Sequence, residues 1–141
     1  MQRERFDDYI RRFNARDPTA FDDYIDPDMR MLNGALEFRG AQGMRAHYCQ
    51  RIWPHFQEEL HVERFVSDDT TLAVQMRTRF VARADAAETL FGPVKAGESF
   101  DFRGLIMYEI GNGKFTRITV AYNSFTHTSL EGRTTELGMP H

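Results

Sequence analysis

The chain has 141 residues, a formal net charge of −3 and a single cysteine, Cys49. This length favours one domain that buries enough apolar surface to fold without a disulfide or a metal. Acidic and basic residues are interspersed, which argues against a nucleic-acid surface and against a polybasic membrane anchor. No apolar run approaches about 18 residues, and a lone cysteine suits a reducing compartment. We therefore expect a cytoplasmic protein whose partners include neither nucleic acid nor a membrane.

Three helices are predicted in the first part of the chain. Residues 3–14 follow the helical spacing of apolar side chains, with one face formed by Phe6, Tyr9, Ile10 and Phe13. Asp17 and Pro18 are typical of the start of a second, short helix, and Pro27 ends it. A third helix is predicted from about residue 41 to residue 53, where Pro54 follows.

Strands are predicted for most of the remaining chain. Two short extended pieces flank Asn33-Gly34, and apolar residues alternate with polar ones over 60–66 and 72–80. Residues 83–97 are predicted to form a long connection before two further strands. Helices that precede a run of strands indicate an α+β fold, with three N-terminal helices packed on one face of a curved antiparallel sheet. Such a sheet leaves a cavity between itself and the helices.

The last two long strands flank Gly111-Asn112-Gly113, a cluster that suits the positive φ angles of a tight hairpin. A two-residue turn would pair Ile106 with Thr119 and mix apolar and polar residues on both faces. A three-residue loop would pair Ile106 with Ile118 and give one apolar and one mainly polar face. We therefore predict the three-residue loop, with Ile118 inside and Thr119 on the outer face.

Five short segments resemble one protein superfamily. Residues 9–17, Tyr24 before Asp26-Pro27-Asp28, and Phe38-Arg39-Gly40 look like the opening of the nuclear transport factor two-like superfamily. Gly113-Lys114-Phe115 resembles its final hairpin, and residues 136–140 resemble the Leu-Gly-x-x-Pro ending of SnoaL-type polyketide cyclases. The chain is thus similar to SnoaL-like and ketosteroid-isomerase-like domains. The resemblance implies one cone-shaped domain over residues 1–141, with a core at about 3–127, a tail at 128–141 and the helices on the concave face of the sheet.

The resemblance also implies a pocket for a small apolar organic ligand such as a polyketide, a steroid or a terpenoid. As an enzyme, the chain would be an isomerase, a cyclase or a dehydratase that transfers protons without a cofactor. The carboxylates that such enzymes use would fall near Leu32 or Asn33, at Ile106 and near Asn123, and none of these residues is acidic. Their absence favours the alternative, a non-catalytic ligand-binding or interaction domain.

Four residues are candidates for catalysis. Tyr9, which the resemblance aligns with the oxyanion donor of ketosteroid isomerases, and Tyr48 can donate hydrogen bonds to a developing negative charge. His47 lies beside Tyr48 on the third predicted helix, and an ordinary histidine pKa of about 6.5 suits a general base. Asn123 can orient a substrate but cannot take a proton. The spacing of the histidines predicts no metal site.

Ten further residues are candidates for binding the substrate. Most are aromatic or apolar side chains on faces predicted to point inward, and one is a turn asparagine that can orient a carbonyl or a hydroxyl. They are Phe13, Tyr24, Asn33, Trp53, Phe80, Phe102, Ile106, Tyr108, Ile118 and Tyr122.

The outer face of the predicted sheet has two features of its own. Asp101 and Arg103 share a strand face and resemble the arginine and aspartate with which limonene-type epoxide hydrolases activate water, which is a second alternative function. On an outer face, the ordinary role of such residues is a solvated or interfacial ion pair. Leu105, Met107 and Ala121 interrupt the otherwise polar face, and we expect a homodimer to form through it.

Overall fold

The computed structural model describes residues 1–138, and its first two helices lie where the sequence predicts them. The second helix ends at Tyr24 and not at the predicted Pro27, which lies in the strand that begins at Ile25. Helix α1 spans Arg3–Asn14 and buries the predicted apolar face, and α2 spans Thr19–Tyr24. Asp17 Oδ1 accepts a hydrogen bond of 3.0 Å from the backbone N–H of Thr19 and so forms a turn at the start of α2. Met139 and Pro140, the end of the predicted SnoaL-type motif, lie outside the described residues.

The third predicted helix has two parts. Helix α3 spans Gly40–Met44, and a π-helix continues it over Arg45–Ile52. The backbone N–H of Trp53 donates to the carbonyl of Tyr48, five residues earlier, at 2.8 Å, which is a π-type hydrogen bond. The π-helix is wider than an α-helix. His47 is buried and Tyr48 half-buried beside it, so both side chains contact the interior.

Six strands form one sheet in the order β2-β1-β6-β5-β4-β3. The strands are β1 (Ile25–Asn33), β2 (Leu36–Arg39), β3 (Phe56–Ser67), β4 (Thr71–Ala82), β5 (Ser99–Gly111) and β6 (Lys114–Thr128). A short β7 (Thr134–Glu136) pairs with the end of β6. Strands β1 and β6 run parallel, and the other pairs are antiparallel. The predicted α+β fold is therefore confirmed, with one parallel pair in a mostly antiparallel sheet.

The hairpin between β5 and β6 turns on two residues, so the predicted three-residue loop is wrong. Gly111 pairs with Lys114 across Asn112-Gly113, and the two turn residues have positive φ angles of 51° and 76°. Thr116 is then left unpaired as a β-bulge on β6. Its hydroxyl donates a hydrogen bond of 3.2 Å to the carbonyl of Glu109 on the opposite strand.

The bulge at Thr116 restores the predicted faces. An extra residue exchanges the two faces of a strand, which offsets the exchange that the shorter turn introduces. Ile118 is buried and Thr119 is exposed, as predicted. Ile106 pairs with Val120 and not with the predicted Ile118, so the prediction of faces is confirmed and the prediction of pairing is wrong.

Residues 83–98 connect β4 to β5, close to the predicted connection at 83–97. The segment contains one isolated bridge, between Ala86 and Val94. Within the described part of the chain, no helix is long and apolar enough to cross a membrane.

Candidate active site

The candidate site is a buried cluster of side chains where α1, the π-helix and the inner face of β3 meet, and most of its members are aromatic. Phe13 of α1 packs edge-on against Tyr48 and Trp53, with ring centroids 4.9 Å and 5.3 Å away. Tyr9 lies one turn earlier on α1, 6.3 Å from Phe13 between ring centroids. Two predicted ligand-binding residues and two predicted hydrogen-bond donors therefore share one buried cluster.

A glutamate that the sequence analysis missed lies in this cluster. Glu58 is only 3% exposed, and its Oε2 accepts a hydrogen bond of 3.0 Å from Nε1 of Trp53. Glu58 pairs with the buried Phe80 of β4 and lies two residues after the buried Phe56 of β3. Alternate residues of a strand share a face, so the position of Phe56 was the one sequence signal that Glu58 points inward.

Burial changes the protonation of Glu58. The loss of hydration raises its pKa to about 8, although the Trp53 hydrogen bond and the charge of Arg16 both oppose this shift. A carboxyl with such a pKa is mostly neutral at pH 7, where about a tenth of the molecules carry the carboxylate. Glu58 can therefore donate a proton in one step and accept one in another near neutral pH.

The hydroxyls of Tyr9 and Tyr48 are protonated donors near Glu58. Burial raises the pKa of both tyrosines well above its ordinary value, and charge on the neighbouring tyrosines and on Glu58 adds to the rise. No hydrogen bond within residues 1–138 contributes to either shift. Both hydroxyls can therefore donate to a bound molecule.

Asn14 anchors the end of α1 to β3, close to Glu58. Its side-chain amide donates to the carbonyl of Leu60 at 3.0 Å, and its Oδ1 accepts from the backbone N–H of Leu60 at 2.8 Å. Strand β3 is at the edge of the sheet, so these two backbone groups have no strand partner on that side. The paired hydrogen bonds hold the helix that carries Tyr9 against the strand that carries Glu58.

Arg16 is a second residue that the sequence analysis missed. It follows α1 in a left-handed backbone conformation, with a φ angle of 56°. Its Nε and Nη2 atoms are buried and have no hydrogen-bond partner among residues 1–138. Burial and the charge of Arg83 lower the pKa of Arg16, while Glu58 and Glu59 oppose this shift. Arg16 lies two residues after Asn14, whose side chain bonds to Leu60, two residues beyond Glu58 on β3, so Arg16 lies at the edge of the candidate site.

Asn33 at the end of β1 and Tyr122 on β6 form another polar pair of the interior. The Oδ1 atom of Asn33 is buried without a hydrogen-bond partner in the described part of the chain. Burial raises the pKa of Tyr122, and the Asn33 side chain opposes this shift. Tyr122 packs edge-on against Phe102, with 4.8 Å between ring centroids. The structure thus brings three of the predicted substrate-binding residues together.

His47 packs beside Tyr48 as an uncharged ring. It is buried, stacks on Phe38 at 5.2 Å between ring centroids and meets Tyr48 edge-on at 4.8 Å. Burial, with a smaller contribution from the charge of Arg51, lowers the pKa of His47 to about 4. His47 is therefore neutral at pH 7 and a weaker base than an ordinary histidine.

The other inward-facing candidates are spread over the buried face of the sheet. Phe80 packs 5.0 Å from Phe91, in a phenylalanine cluster that includes the 83–98 connection. Tyr108 packs 4.8 Å from Phe115 between ring centroids. Two aliphatic candidates are buried on the same face of the sheet, Ile106 and Ile118.

Two predicted site residues have other surroundings. The hydroxyl of Tyr24 donates a hydrogen bond of 2.7 Å to Oδ2 of Asp8 and is therefore engaged by the surface of α1. Asn123 is exposed on the outer face, at a second bulge of β6. The structure does not bring the Tyr24 hydroxyl or the Asn123 amide to Glu58.

Asp101 and Arg103 lie on the outer face and form separate ion pairs. Nε of Arg77 donates to Asp101 at 2.8 Å, whereas Arg103 contacts Glu63 at 3.4 Å. The predicted outer-face position is confirmed for both residues. This geometry does not support the epoxide hydrolase alternative, which needs both groups at one substrate.

The family of the chain follows from a comparison with protein-family models. A model of the SnoaL-like domain matches residues 6–118. The chain belongs to the SnoaL-like domain family. This finding confirms the resemblance inferred from the short sequence segments.

Solved structures share the fold of this SnoaL-like domain. A putative polyketide cyclase from Xanthomonas campestris pv. campestris has a TM-score of 0.67 and 23% identity, over 82% of this chain and 84% of that chain. TsrD from Streptomyces laurentii has a TM-score of 0.65 and 19% identity, over 87% of this chain and 91% of that chain. An LEH-like epoxide hydrolase from M. tuberculosis has a TM-score of 0.62 and 13% identity, over 82% of this chain and 77% of that chain. A comparison with curated proteins found no match.

Proposed function

We propose that this SnoaL-like domain is an enzyme that transfers protons on a small, largely apolar carbonyl compound and needs no cofactor. Isomerisation, cyclisation and dehydration of a polyketide-, steroid- or terpenoid-like substrate all belong to this chemistry. The observation that carries the proposal is the buried carboxyl of Glu58, which accepts a hydrogen bond from Trp53 in the same buried cluster as Tyr9 and Tyr48.

The carboxylate form of Glu58 removes a proton from the carbon next to the carbonyl group. The C–H electron pair becomes the C=C bond of an enolate, and the carbonyl oxygen takes the negative charge. Hydrogen bonds from Tyr9 and Tyr48 stabilise that oxygen, and a well-placed donor is worth about 3–4 kcal/mol. Neutral Glu58 then returns the proton to another carbon, which completes an isomerisation, or to a leaving hydroxyl, which completes a dehydration.

The environment of Glu58 suits this role. A base or an acid is most effective when its pKa lies near the working pH, and burial brings the pKa of Glu58 to about 8. The aromatic rings of Phe13 and Trp53 form an apolar wall on which the body of a substrate can pack. The same wall keeps water away from an enolate, which strengthens the hydrogen bonds to its oxygen.

Deuterium exchange tests the proposed function. The probe is a β,γ-unsaturated cyclic ketone in D2O, and the loss of the α-carbon proton is followed by NMR. Glu58→Gln keeps the size of the side chain but cannot accept the proton, so the exchange rate should fall at least about a hundredfold. Glu59→Gln is the matched control, because Glu59 is the adjacent glutamate and is exposed. Equal rates for wild type and Glu58→Gln would reject Glu58 as the proton-transfer group.

A second candidate function is non-catalytic ligand binding. It is favoured by the absence of the carboxylates that the resemblance implies near Leu32 or Asn33, at Ile106 and near Asn123. A binding domain would hold the ketone without accelerating its exchange. Binding of the ketone together with an exchange rate equal to that in protein-free D2O would support this candidate.

A further inference from the structure

Arg16 has buried hydrogen-bond donors that nothing in residues 1–138 satisfies. Its Nε and Nη2 atoms are both buried without a partner. A buried donor left unpaired costs about 1–3 kcal/mol, and a charged one costs more. The left-handed φ angle of 56° adds a further cost for a residue other than glycine. Unpaired buried donors at the edge of a candidate site can form hydrogen bonds with an acceptor that a ligand supplies.

No neighbouring carboxyl group accepts a hydrogen bond from Nε or Nη2 of Arg16 within residues 1–138. Oε2 of Glu58 accepts from Trp53, and the Glu58 carboxyl is mostly neutral at pH 7. Glu59 is exposed and lies 3.6 Å from His61. Arg83 adds a second positive charge, close enough to influence the titration of Arg16. The Nε and Nη2 donors of Arg16 therefore stay available to an anionic group of a ligand.

We propose that the ligand of this domain carries a carboxylate and that Arg16 binds it through Nε and Nη2. The guanidinium presents these two N–H groups side by side, which matches the two oxygens of a carboxylate in a bidentate pair. The reacting group, an enolisable ketone, is taken from the proposed function, and this inference rests on it. A ketone together with a carboxylate makes the substrate an apolar keto acid. Arg16 would hold the ionised end of such a molecule next to Glu58.

The strength of this contact sets the expected selectivity. A hydrogen bond to a charged group contributes about 1.5–3 kcal/mol, which corresponds to roughly a 10- to 100-fold difference in affinity. Wild type should therefore bind a carboxylate at least about tenfold more tightly than the neutral amide of the same size. Replacing Arg16 with Gln should reduce this ratio to below about threefold.

Calorimetric binding to matched pairs of probes tests the proposal. The probes are naphthyl- and phenyl-substituted alkanoic acids, each compared with its own primary amide, at pH 7. The variants are Arg16→Gln, Arg16→Lys and the control Arg133→Gln, which makes the same change of charge at an exposed position. Arg16→Lys keeps the charge and loses the planar fork, so its ratio should fall between those of wild type and Arg16→Gln. The control should keep the wild-type ratio.

The outcomes separate this inference from the proposed function. Tighter binding of carboxylates that depends on Arg16, in a protein that exchanges no ketone proton, would support the inference and reject the enzyme. Exchange of neutral ketones as fast as keto acids, with equal affinity for acids and amides, would support the enzyme and overturn the inference. A panel in which no acid binds wild type more tightly than its amide would also overturn it.

Discussion

Nε1 of Trp53 donates a hydrogen bond of 3.0 Å to Oε2 of Glu58, and both side chains are buried. The indole N–H favours the ionised carboxyl and so limits the rise of the Glu58 pKa that burial causes. The π-type bond from the Trp53 N–H to the Tyr48 carbonyl fixes this tryptophan at the end of its helix. The short stretch from Tyr48 to Glu58 therefore holds a hydroxyl donor, an orienting indole and a carboxyl of raised pKa.

Removing the tyrosine hydroxyls should lower turnover more than affinity. Tyr9→Phe and Tyr48→Phe keep the ring, so the packing against Phe13 should change little. In the wild type, the hydrogen bond from each hydroxyl becomes stronger as negative charge develops on the substrate oxygen. Its loss should therefore raise the barrier of the reaction, and kcat should fall about a hundredfold or more. Exchange kinetics and calorimetric affinity for the same ketone separate the two effects. Unchanged kcat in both variants would eliminate the tyrosine mechanism.

Glu58 should make the free energy of unfolding fall as the pH rises. Its pKa is about 8 in the folded chain and about 4.5 without the fold, so between these values the folded state holds a proton that the unfolded state has lost. Stability is therefore highest below about pH 4.5 for this group and falls by up to about 1.4 kcal/mol per pH unit toward pH 8. Glu58→Gln cannot ionise and should escape this loss.

Urea unfolding at pH 5 and pH 8 measures this effect. The free energy of unfolding of Glu58→Gln relative to wild type should increase by roughly 3 kcal/mol from pH 5 to pH 8. The other carboxyl groups are the same in both proteins, so their contributions cancel in this difference. The exposed Glu59→Gln should show no such gain. A stability difference between wild type and Glu58→Gln that stays constant with pH would contradict the raised pKa.

His47 should make the free energy of unfolding fall as the pH decreases, in contrast to Glu58. Its pKa is about 4 in the folded chain against an ordinary value of 6.5, so the unfolded state binds a proton that the folded state excludes. Stability from this group is complete above about pH 6.5 and is lost as the pH falls toward 4. His47→Phe keeps a ring in place but cannot take up a proton. From pH 7 to pH 4.5, its free energy of unfolding, measured with urea, should fall by roughly 2 kcal/mol less than that of wild type. His61→Phe, at an exposed histidine, should show the wild-type loss.

The helices and the strand faces could be predicted because their signals are periodic and local. The apolar face of α1 can be predicted from the sequence of that helix alone. The alternation of apolar and polar residues along β5 and β6 can likewise be read from each strand by itself. The pairing of the hairpin could not be predicted, because the bulge at Thr116 is accompanied by a hydrogen bond to the Glu109 carbonyl on the other strand. A contact between two strands produces no periodic pattern in the sequence of either strand.

About half of the candidate site could be predicted. Tyr9 and Tyr48 followed from helical spacing and from the family resemblance. Glu58 could not be singled out, because it stands in the polar run Gln57-Glu58-Glu59 and only its distance of two residues from Phe56 indicates burial. The burial of Arg16 depends on a left-handed turn that its own side chain does not favour.

We also propose that two copies of the domain pair through the outer face of the sheet. Leu105 and Met107 are 53% and 51% exposed there, beside a groove of about 760 Å³. The groove carries charges of both signs, which allows a two-fold pairing with itself, and they belong to Arg64, Glu109 and Arg117. The double variant Leu105→Glu, Met107→Glu should be a monomer by light scattering at tens of micromolar. Leu130→Glu, at another exposed leucine, should remain a dimer, and a monomeric wild type would remove the proposal.

The pKa of Glu58 itself tests the proposed chemistry most directly. Carboxyl signals of protein labelled with ¹³C-glutamate can be followed by NMR from pH 4 to pH 10, and the spectrum of Glu58→Gln identifies the Glu58 signal. A midpoint near 8 is expected, and Trp53→Phe should move it higher because the stabilising N–H is lost. A midpoint within about a unit of the ordinary value of 4.5 would contradict the proposal that Glu58 exchanges protons near neutral pH.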